Sequence, residues 1–215
     1  MRSAETSLLL VRHGETEWHQ ENRYAGSSDI GLDAAGQAQA QLLAKVVARW
    51  SASERPTAVA CSPLRRSQLT AAPVAAALGL SPHIHPDLRE VHFGSAEGRT
   101  LAEIRADSAE VADAFARDPL ASPFPGAEPL SAAADRMVQC LELLAEAHPG
   151  GRVLVVGHNT AIRLALCRLL GIDLSHYRRT LAAPDNVAIT ELQVADRTFR
   201  LTRFNAPLVA VGATF

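Results

Sequence analysis

The sequence predicts an α/β fold, a three-layer α/β/α sandwich built around a mostly parallel sheet. Three short apolar runs, at residues 8–11, 57–61 and 152–156, each lead through a turn into a helical pattern. Continuous apolar runs of this length are typical of strands that are buried on both faces. Strands that alternate with helices favour a parallel sheet covered by helices. The chain has 215 residues, 47% of them hydrophobic, and is predicted to form one domain over residues 1–215.

Helical patterns fill the spaces between these runs. An amphipathic stripe follows Asp33, and a second one over residues 130–144 leads into the third predicted strand. Residues 162–170 are apolar almost all round, which is typical of a buried helix. Near the end of the chain, residues 186–194 and 198–204 are predicted to be two strands joined by a short turn.

The segment 97–128 is predicted to form a small lid. Thr100 and Glu103 make a capping box, which predicts a helix from there through Phe115. A Pro-rich irregular stretch follows at residues 118–126. Long loops of this kind in compact domains are usually lids or binding loops, and a plain connection is the alternative.

Composition and charge argue against several classes of partner. The formal net charge is −2, so neither nucleic acid nor an anionic membrane surface is an expected partner. The first apolar run is too short for a secretory signal or a membrane span, and no later run approaches that length. Cys61, Cys140 and Cys167 have no metal-binding spacing and fit reduced thiols. These features predict a cytoplasmic protein that acts on a small molecule, and they leave homodimer formation open.

Basic side chains follow the ends of all three predicted strands. Arg12 and His13 follow the first strand, Arg65 and Arg66 come shortly after the second, and His158 follows the third. Ligands of parallel sheets bind beyond the carboxyl ends of the strands, where these residues are expected to meet. Two imidazoles and two or three guanidiniums suit a dianion, and phosphate is the obvious candidate.

The segments around these residues resemble the motifs of the histidine phosphatase superfamily, which has a phosphoglycerate mutase-like fold. The matching stretches are LVRHGETEW at 10–18, SPLRRSQLTA at 62–71, LREVHFGSAEG at 88–98 and VVGH at 155–158. They occur in the family's order, and the resemblance extends from about residue 8 to residue 205, nearly the whole chain. Arg66 matches the motif register, and Arg65 is interpreted as a surface or supporting residue.

The resemblance implies a role for each of five residues. His13 would be the nucleophile that accepts the phosphoryl group and must be neutral to attack. Arg12, Arg66 and His158 would surround the phosphoryl oxygens, over which the transition-state charge spreads. Glu90 would protonate the leaving alkoxide and then deprotonate the attacking water, which requires an ordinary or raised carboxyl pKa.

Several positions depart from the family pattern, and they are still predicted to contact phosphate. His19 stands where the family usually has Asn, and Ala25-Gly26 replaces a Gln-Gly step, so that only the backbone of Gly26 remains as a donor. Asn159 follows the last motif histidine in place of Gly. Asn159 and Thr160 could cap the next helix and direct its N–H groups at the phosphate.

Within the family, the chain is predicted to be a phosphatase. The stretch 90–98 is more similar to the phosphatase version of the third motif than to the mutase version. Two alternatives stay open: a phosphoglycerate mutase-type phosphotransferase, and an inactive module that only binds phosphate esters. Glu90 argues against the inactive module, unless it forms a surface ion pair with Arg89 instead.

No metal or other cofactor is predicted. His83 and His85 could share one face of a strand, but no HExxH motif or carboxylate cluster accompanies them. The expected cations of the site are arginines, so hydrolysis is predicted to be metal-independent.

The charge of the lid segment leads to a hypothesis about the substrate. A lid rich in carboxylates should repel polyanions, which predicts a monophosphate whose remainder is neutral or weakly charged. Phe115 and Phe124 are expected to set the size of that remainder. Residues 97–128 contain three arginines and seven acidic residues, namely Glu97, Glu103, Asp107, Glu110, Asp113, Asp118 and Glu128.

Overall fold

The computed structural model describes residues 5–208 and shows a six-stranded sheet. The strands are β1 (Thr6–Arg12), β2 (Ala58–Cys61), β3 (Pro82–Ile84), β4 (Arg152–Gly157), β5 (Ile189–Ala195) and β6 (Thr198–Ala206). Their order across the sheet is β3-β2-β4-β1-β5-β6. The first four pair in parallel, whereas β5 and β6 are antiparallel to their neighbours. The predicted mostly parallel α/β sheet is confirmed.

Helices connect and cover the strands. They are α1 (Ala34–Ala48), α2 (Arg65–Leu78), α3 (Leu101–Asp107), α4 (Ala109–Arg117), α5 (Leu130–Ala147), α6 (Asn159–Leu170) and α7 (Tyr177–Thr180). Short 3₁₀ turns lie at Glu17–His19, Pro86–Leu88, Gly94–Ala96 and Leu174–His176. The predicted start of α1 is confirmed, because the carboxylate of Asp33 accepts a hydrogen bond from the Gly36 N–H at 2.7 Å.

The strands of the sheet centre are buried on both faces, which makes three layers. Successive side chains of a strand point to opposite faces. Leu8 and Leu10 therefore pack into one apolar cluster with α5 and α6, and Leu9 and Val11 pack into the other with α1 and α2. Burial of each such side chain contributes about 1.5–3 kcal/mol. Apolar packing on both faces stabilises the pair of strands β1 and β4. The candidate site described below lies at the carboxyl ends of these two strands.

Two predicted boundaries were wrong. The capping box of Thr100 and Glu103 is present, but the predicted helix through Phe115 is broken into α3 and α4 at Ser108. Ser108 has an extended backbone, and its hydroxyl accepts the Val111 N–H to start the second helix. The predicted strand 186–194 begins only at Ile189.

Within residues 5–208, no helix combines the length and the apolar character that crossing a bilayer requires.

Candidate active site

His13 and His158 lie side by side at the carboxyl edge of the sheet. Arg12 of β1 pairs with Gly157 of β4, and the His13 N–H donates to the Gly157 carbonyl at 3.1 Å. Each histidine follows directly, so the two ring centroids are only 5.1 Å apart. Gly14 allows this turn, because a Cβ there would lie 2.6 Å from the carbonyl oxygen of Gly36. The parallel register thus places both imidazoles, as predicted, at one site.

His13 presents an unprotonated ring nitrogen. Its Nδ1 lies 2.7 Å from the Gly14 carbonyl oxygen, which can only accept, so Nδ1 carries the hydrogen and Nε2 has the lone pair. The residue is only 6% exposed. Burial, followed by the nearby charges of Arg66 and Arg12, holds the pKa of His13 well below its ordinary value. His13 is therefore neutral at physiological pH, as a nucleophile must be.

Glu90 is held at the start of α6. Its carboxylate accepts backbone N–H groups of Thr160 and Ala161, both at 2.9 Å, and of Val91 at 2.8 Å. It is 5% exposed, and this burial raises its pKa although the three amides and Arg66 act in the opposite direction. A raised pKa suits a group that must donate a proton.

The position of Glu90 excludes one alternative and overturns one expectation. The alternative of a surface ion pair with Arg89 is wrong, because Glu90 is buried and Arg89 contacts Asp87 and Glu128 instead. The expectation that Asn159 and Thr160 cap α6 and aim its amides at phosphate is also wrong. His158 is the N-cap residue, and the first amides of the helix are used to bind the Glu90 carboxylate.

Arg12 and Arg66 donate their hydrogen bonds to neutral acceptors. Arg12 donates to the Pro184 carbonyl at 2.9 Å and to Nε2 of His19 at 2.8 Å. Arg66 is fully buried and donates only to carbonyl oxygens of the loop 25–28, at 2.8–2.9 Å. In the described part of the chain, no carboxylate lies within ion-pair distance of either guanidinium. Arg12 lines the cavity described below, whereas Arg66 and His158 are fully buried behind it and are not among its lining residues.

His158 has one ring nitrogen bound to Ser62 and the other without a partner. Its Nε2 lies 2.7 Å from the hydroxyl of Ser62, which itself accepts the Leu64 N–H at 3.1 Å. The other ring nitrogen of His158, Nδ1, is buried and has no hydrogen-bond partner among the described residues. Sequence reasoning missed this role of Ser62, although the residue is part of the second motif.

Unsatisfied buried polar atoms are concentrated at this site. Burying a polar group without a partner is costly, and such groups in proteins often mark a ligand site. Across residues 5–208, seven buried side-chain nitrogen or oxygen atoms lack a hydrogen-bond partner. Five of these atoms belong here: Nε of Arg12, Nε of Arg66, Nδ1 of His158, Oδ1 of Asn159 and Nε of Arg163.

The remaining predicted phosphate contacts differ in their surroundings. His19 links Thr16 to Arg12 through its two ring nitrogens, at 2.8 Å on each side, and lines the cavity described below. Ala25 lines the same cavity, and its carbonyl oxygen accepts from Arg66. The Gly26 N–H donates to Glu97 at 3.1 Å and is therefore not the free donor that was expected.

A cavity of about 270 Å³ extends from these residues. Four arginines line it, and Glu90 is the one acidic residue among its lining residues in the described chain. The four are Arg12, Arg23, Arg163 and Arg178. The sequence did not single out Arg163 or Arg178. Arg163 had a weak sequence signal, since it lies four residues after Asn159 and therefore on the same helix face. Arg178 had no sequence signal.

The hypothesis based on the lid's acidic charge was wrong. The structure describes all seven acidic residues of 97–128, and none of them lines the cavity. Four of them, Glu103, Asp107, Asp113 and Glu128, form ion pairs with arginines. Phe115 and Phe124 do not line the cavity either, because they stack on each other at 3.8 Å and are 3% and 1% exposed. The cavity is cationic.

His83 and His85 belong to no metal-binding group in the part of the chain that the structure describes. In residues 5–208, no three His, Cys, Asp or Glu side chains are grouped closely enough to hold a metal ion. His83 lies exposed on β3, remote from the cavity lining.

Comparison with known proteins agrees with the fold and the site. Residues 8–207 match the model of the histidine phosphatase superfamily (branch 1), and the chain belongs to this family. It is 34% identical over 170 residues to phosphoserine phosphatase 1 of Hydrogenobacter thermophilus, covering 79% of each chain. It is 35% identical to the metal-independent phosphoserine phosphatase of Arabidopsis thaliana, over 79% of this chain and 71% of that protein.

Solved structures extend the likeness to the whole fold. A mycobacterial glucosyl-3-phosphoglycerate phosphatase superposes with a TM-score of 0.83 at 26% identity, over 94% of this chain and 100% of that one. The protein is thus an enzyme of the phosphatase class, which confirms the resemblance seen in the four motifs.

Proposed function

We propose that the protein hydrolyses a small phosphomonoester without a metal ion, through a phosphohistidine formed on His13. The observation that carries this proposal is the juxtaposition of the His13 Nε2 lone pair with the unpartnered Nε–H donors of Arg12 and Arg66 and the unpartnered Nδ1 of His158. The names of the relatives support the coarser part, since they are phosphatases of small phosphorylated metabolites, one of them called metal-independent.

The first step transfers the phosphoryl group to the enzyme. Nε2 of His13 attacks phosphorus, a P–N bond forms, and the ester P–O bond breaks. The leaving alkoxide takes the proton of the Glu90 carboxyl group. Arg12 and Arg66 hold the phosphoryl oxygens, and fixed cations are the main source of catalysis in phosphoryl transfer.

The second step returns the enzyme to its starting state. Glu90, now a carboxylate, removes a proton from water while the water oxygen attacks phosphorus. The P–N bond breaks, inorganic phosphate forms, and the electron pair returns to Nε2. The amide N–H groups of Thr160 and Ala161 keep Glu90 in place for both steps. Oε1 accepts the amides of both Val91 and Ala161, whereas Oε2 accepts only that of Thr160, so Oε2 has a lone-pair position left for the moving proton.

We place this activity in the cytoplasm on the basis of the thiols. Cys61, Cys140 and Cys167 are buried and unpaired. Burial raises the pKa of Cys61 to about 11 and that of Cys140 to about 12, which makes both thiols unreactive. Buried reduced cysteines are typical of a reducing compartment.

The test is hydrolysis of p-nitrophenyl phosphate with excess chelator, comparing the wild type with His13→Ala. We expect chelator-resistant turnover that falls by about a thousandfold or more in the variant, because removal of a covalent nucleophile has effects of this order. His83→Ala, an exposed histidine remote from the cavity, is the matched control and should retain full activity.

Three outcomes would contradict the proposal. Loss of activity with chelator would argue for a metal. Retention of activity in His13→Ala would argue against the nucleophile. Absence of turnover, together with tight binding of phosphate esters, would favour the inactive binding module. Thermal unfolding midpoints of all variants establish that a loss of activity is not a loss of fold.

A further inference from the structure

Part of the cavity wall lies outside the groups proposed for the phosphoryl transfer. It is built from the second turn of α6 and from α7, and its side chains include Arg163, Tyr177 and Arg178. These residues lie in the same cavity as Glu90 and His13, so they face whatever part of the substrate is not the phosphoryl group.

Arg163 is a buried cation with unused hydrogen-bonding capacity. It is 7% exposed, and one terminal nitrogen donates to the carbonyl oxygens of Tyr177 at 3.2 Å and Leu181 at 2.7 Å. Its guanidinium carbon lies 4.9 Å from the centre of the Tyr177 ring. Its Nε is buried and has no partner among the residues described. A guanidinium stays charged in proteins, so this donor calls for an acceptor.

Arg178 is exposed but held in place by aromatic rings. Its guanidinium carbon lies 4.7 Å from the Phe115 ring centre and 5.5 Å from that of Tyr177. Its Nε donates to the Tyr177 hydroxyl at 2.9 Å. Stacking and this hydrogen bond fix the plane of the guanidinium while its charge remains uncompensated.

The third arginine outside the phosphoryl site is neutralised. Arg23 forms two hydrogen bonds to the Glu103 carboxylate, at 2.9 and 3.0 Å, and contacts Glu21. In contrast, the contacts of Arg163 and Arg178 are carbonyl oxygens, a hydroxyl group and ring faces. No carboxylate within residues 5–208 lies within ion-pair distance of these two arginines.

We propose that Arg163 and Arg178 bind a carboxylate of the substrate, which makes the preferred substrates phosphomonoesters of small hydroxy acids. This inference rests on the proposed phosphomonoester hydrolysis and names its substrate class. A carboxylate is planar and matches the forked donors of a guanidinium. The volume of about 270 Å³ holds about nine waters at about 30 Å³ each, which suits a phosphoryl group on a short chain.

The first part of the test compares substrates that differ only in the carboxylate. One pair is 3-phosphoglycerate and glycerol 3-phosphate, and the other is O-phosphoserine and O-phosphoethanolamine. The wild type is expected to have a kcat/KM about tenfold or more higher for the carboxylate member of each pair, the usual range for a charge-assisted hydrogen bond.

The second part removes the proposed subsite. In Arg178→Gln, the ratio of kcat/KM within each pair should fall about tenfold or more towards one. Arg179→Gln is the matched control, because Arg179 is the next residue of α7, is exposed and does not line the cavity; its ratio should equal that of the wild type. Arg163→Gln should lower the ratio in the same way, and Arg178→Gln alone decides if Arg163→Gln does not fold.

Equal kcat/KM for both members of the pairs in the wild type would overturn the proposal. So would an Arg178→Gln variant that keeps the wild-type ratio. The same comparison is made between fructose 1,6-bisphosphate and fructose 6-phosphate. If the ratio of their kcat/KM values exceeds the ratios of the carboxylate pairs, the subsite is assigned to a second phosphoryl group instead.

Failure of the hydrolysis itself is recognised separately, by absent turnover of p-nitrophenyl phosphate, which has no carboxylate. In that case calorimetric titration decides about the subsite. The His13→Ala protein should bind 3-phosphoglycerate about tenfold or more tightly than glycerol 3-phosphate, and equal affinities would overturn the carboxylate assignment.

Discussion

The sheet edge and the α6–α7 wall line the same cavity, but their functional side chains are held in different ways. At the sheet edge, His13, Glu90 and His158 are buried, and backbone groups fix them through strand register and helix amides. On the α6–α7 wall, Arg178 is exposed, and aromatic rings fix it. The groups proposed for the chemistry are thus fixed by backbone contacts, and a group proposed for substrate choice is fixed by side-chain rings.

Glu97 links the lid segment to the sheet edge. Its carboxylate accepts the N–H groups of the loop 26–28 and of Phe93, and also the Ser28 hydroxyl. The same loop supplies the carbonyl oxygens that hold Arg66. A carboxylate at the start of the lid therefore positions the loop that positions a cation of the phosphoryl site.

The largest expected effect is on the sheet edge, in Glu90→Gln. General acid–base catalysis contributes about 10²- to 10⁴-fold, and we expect kcat to fall by this factor for glycerol 3-phosphate. The loss should be smaller for p-nitrophenyl phosphate, whose leaving group needs little protonation. Steady-state kinetics on both esters measure the difference.

Glu110→Gln is the control for this prediction. Glu110 is an exposed lid carboxylate outside the cavity lining, so its variant should have wild-type kcat on both esters. A Glu90→Gln enzyme within tenfold of the wild type on glycerol 3-phosphate would show that another group is the acid.

The sheet edge could be predicted because its signals are local in the sequence. Arg12 and His13 are adjacent to a strand, and His158 follows another, so parallel pairing alone brings them together. Their motifs also resemble those of a known family. The α6–α7 wall offers no such signal, because Arg163 meets Arg178 only through the way α7 packs on α6.

The errors on the lid have one physical cause. Sequence gives the number of charges in a segment but not the direction in which they point. Asp107 and Asp113 turn towards Arg99 and Arg105 on the lid itself, and Phe115 turns inwards. The helix break at Ser108 was missed for a related reason, since a serine can cap a new helix as well as continue an old one.

The second prediction concerns the aromatic support under the cavity, in Phe124→Ala. Its ring stacks on Phe115 and lies 5.2 Å from the Tyr24 ring. Truncation of a buried Phe costs about 3–5 kcal/mol, and we expect this decrease in the free energy of unfolding by urea denaturation. Leu143→Ala, at an exposed position, should change stability by only about 0.5 kcal/mol. Unchanged stability with altered preference for substrate size would instead place Phe124 at the cavity.

The smallest expected effect is on the pH dependence of kcat/KM, about tenfold per pH unit. It distinguishes the sheet edge from the lid segment, because their groups titrate differently. Burial lowers the pKa of His13 and raises that of Glu90. On the lid, the Thr100 amide lowers the pKa of Glu103, and Arg136 lowers that of Glu128 against the effect of burial. These lid carboxylates are ionised throughout the range from about pH 5 to 8, since their ordinary pKa is about 4.3. A change of rate in that range therefore does not come from these two lid carboxylates.

The profile of kcat/KM against pH should have a rising and a falling limb, and the required protonation states of His13 and Glu90 determine which limb belongs to which residue. Attack needs neutral His13, so kcat/KM rises with pH through its pKa, below about 6.5. Departure of the alkoxide needs protonated Glu90, so kcat/KM falls as pH passes its raised pKa. Profiles on glycerol 3-phosphate from pH 4 to 9 should show this bell in the wild type and in Glu110→Gln. The residual activity of Glu90→Gln should lack the alkaline limb, and a limb that persists there would assign the descending titration to a group other than Glu90.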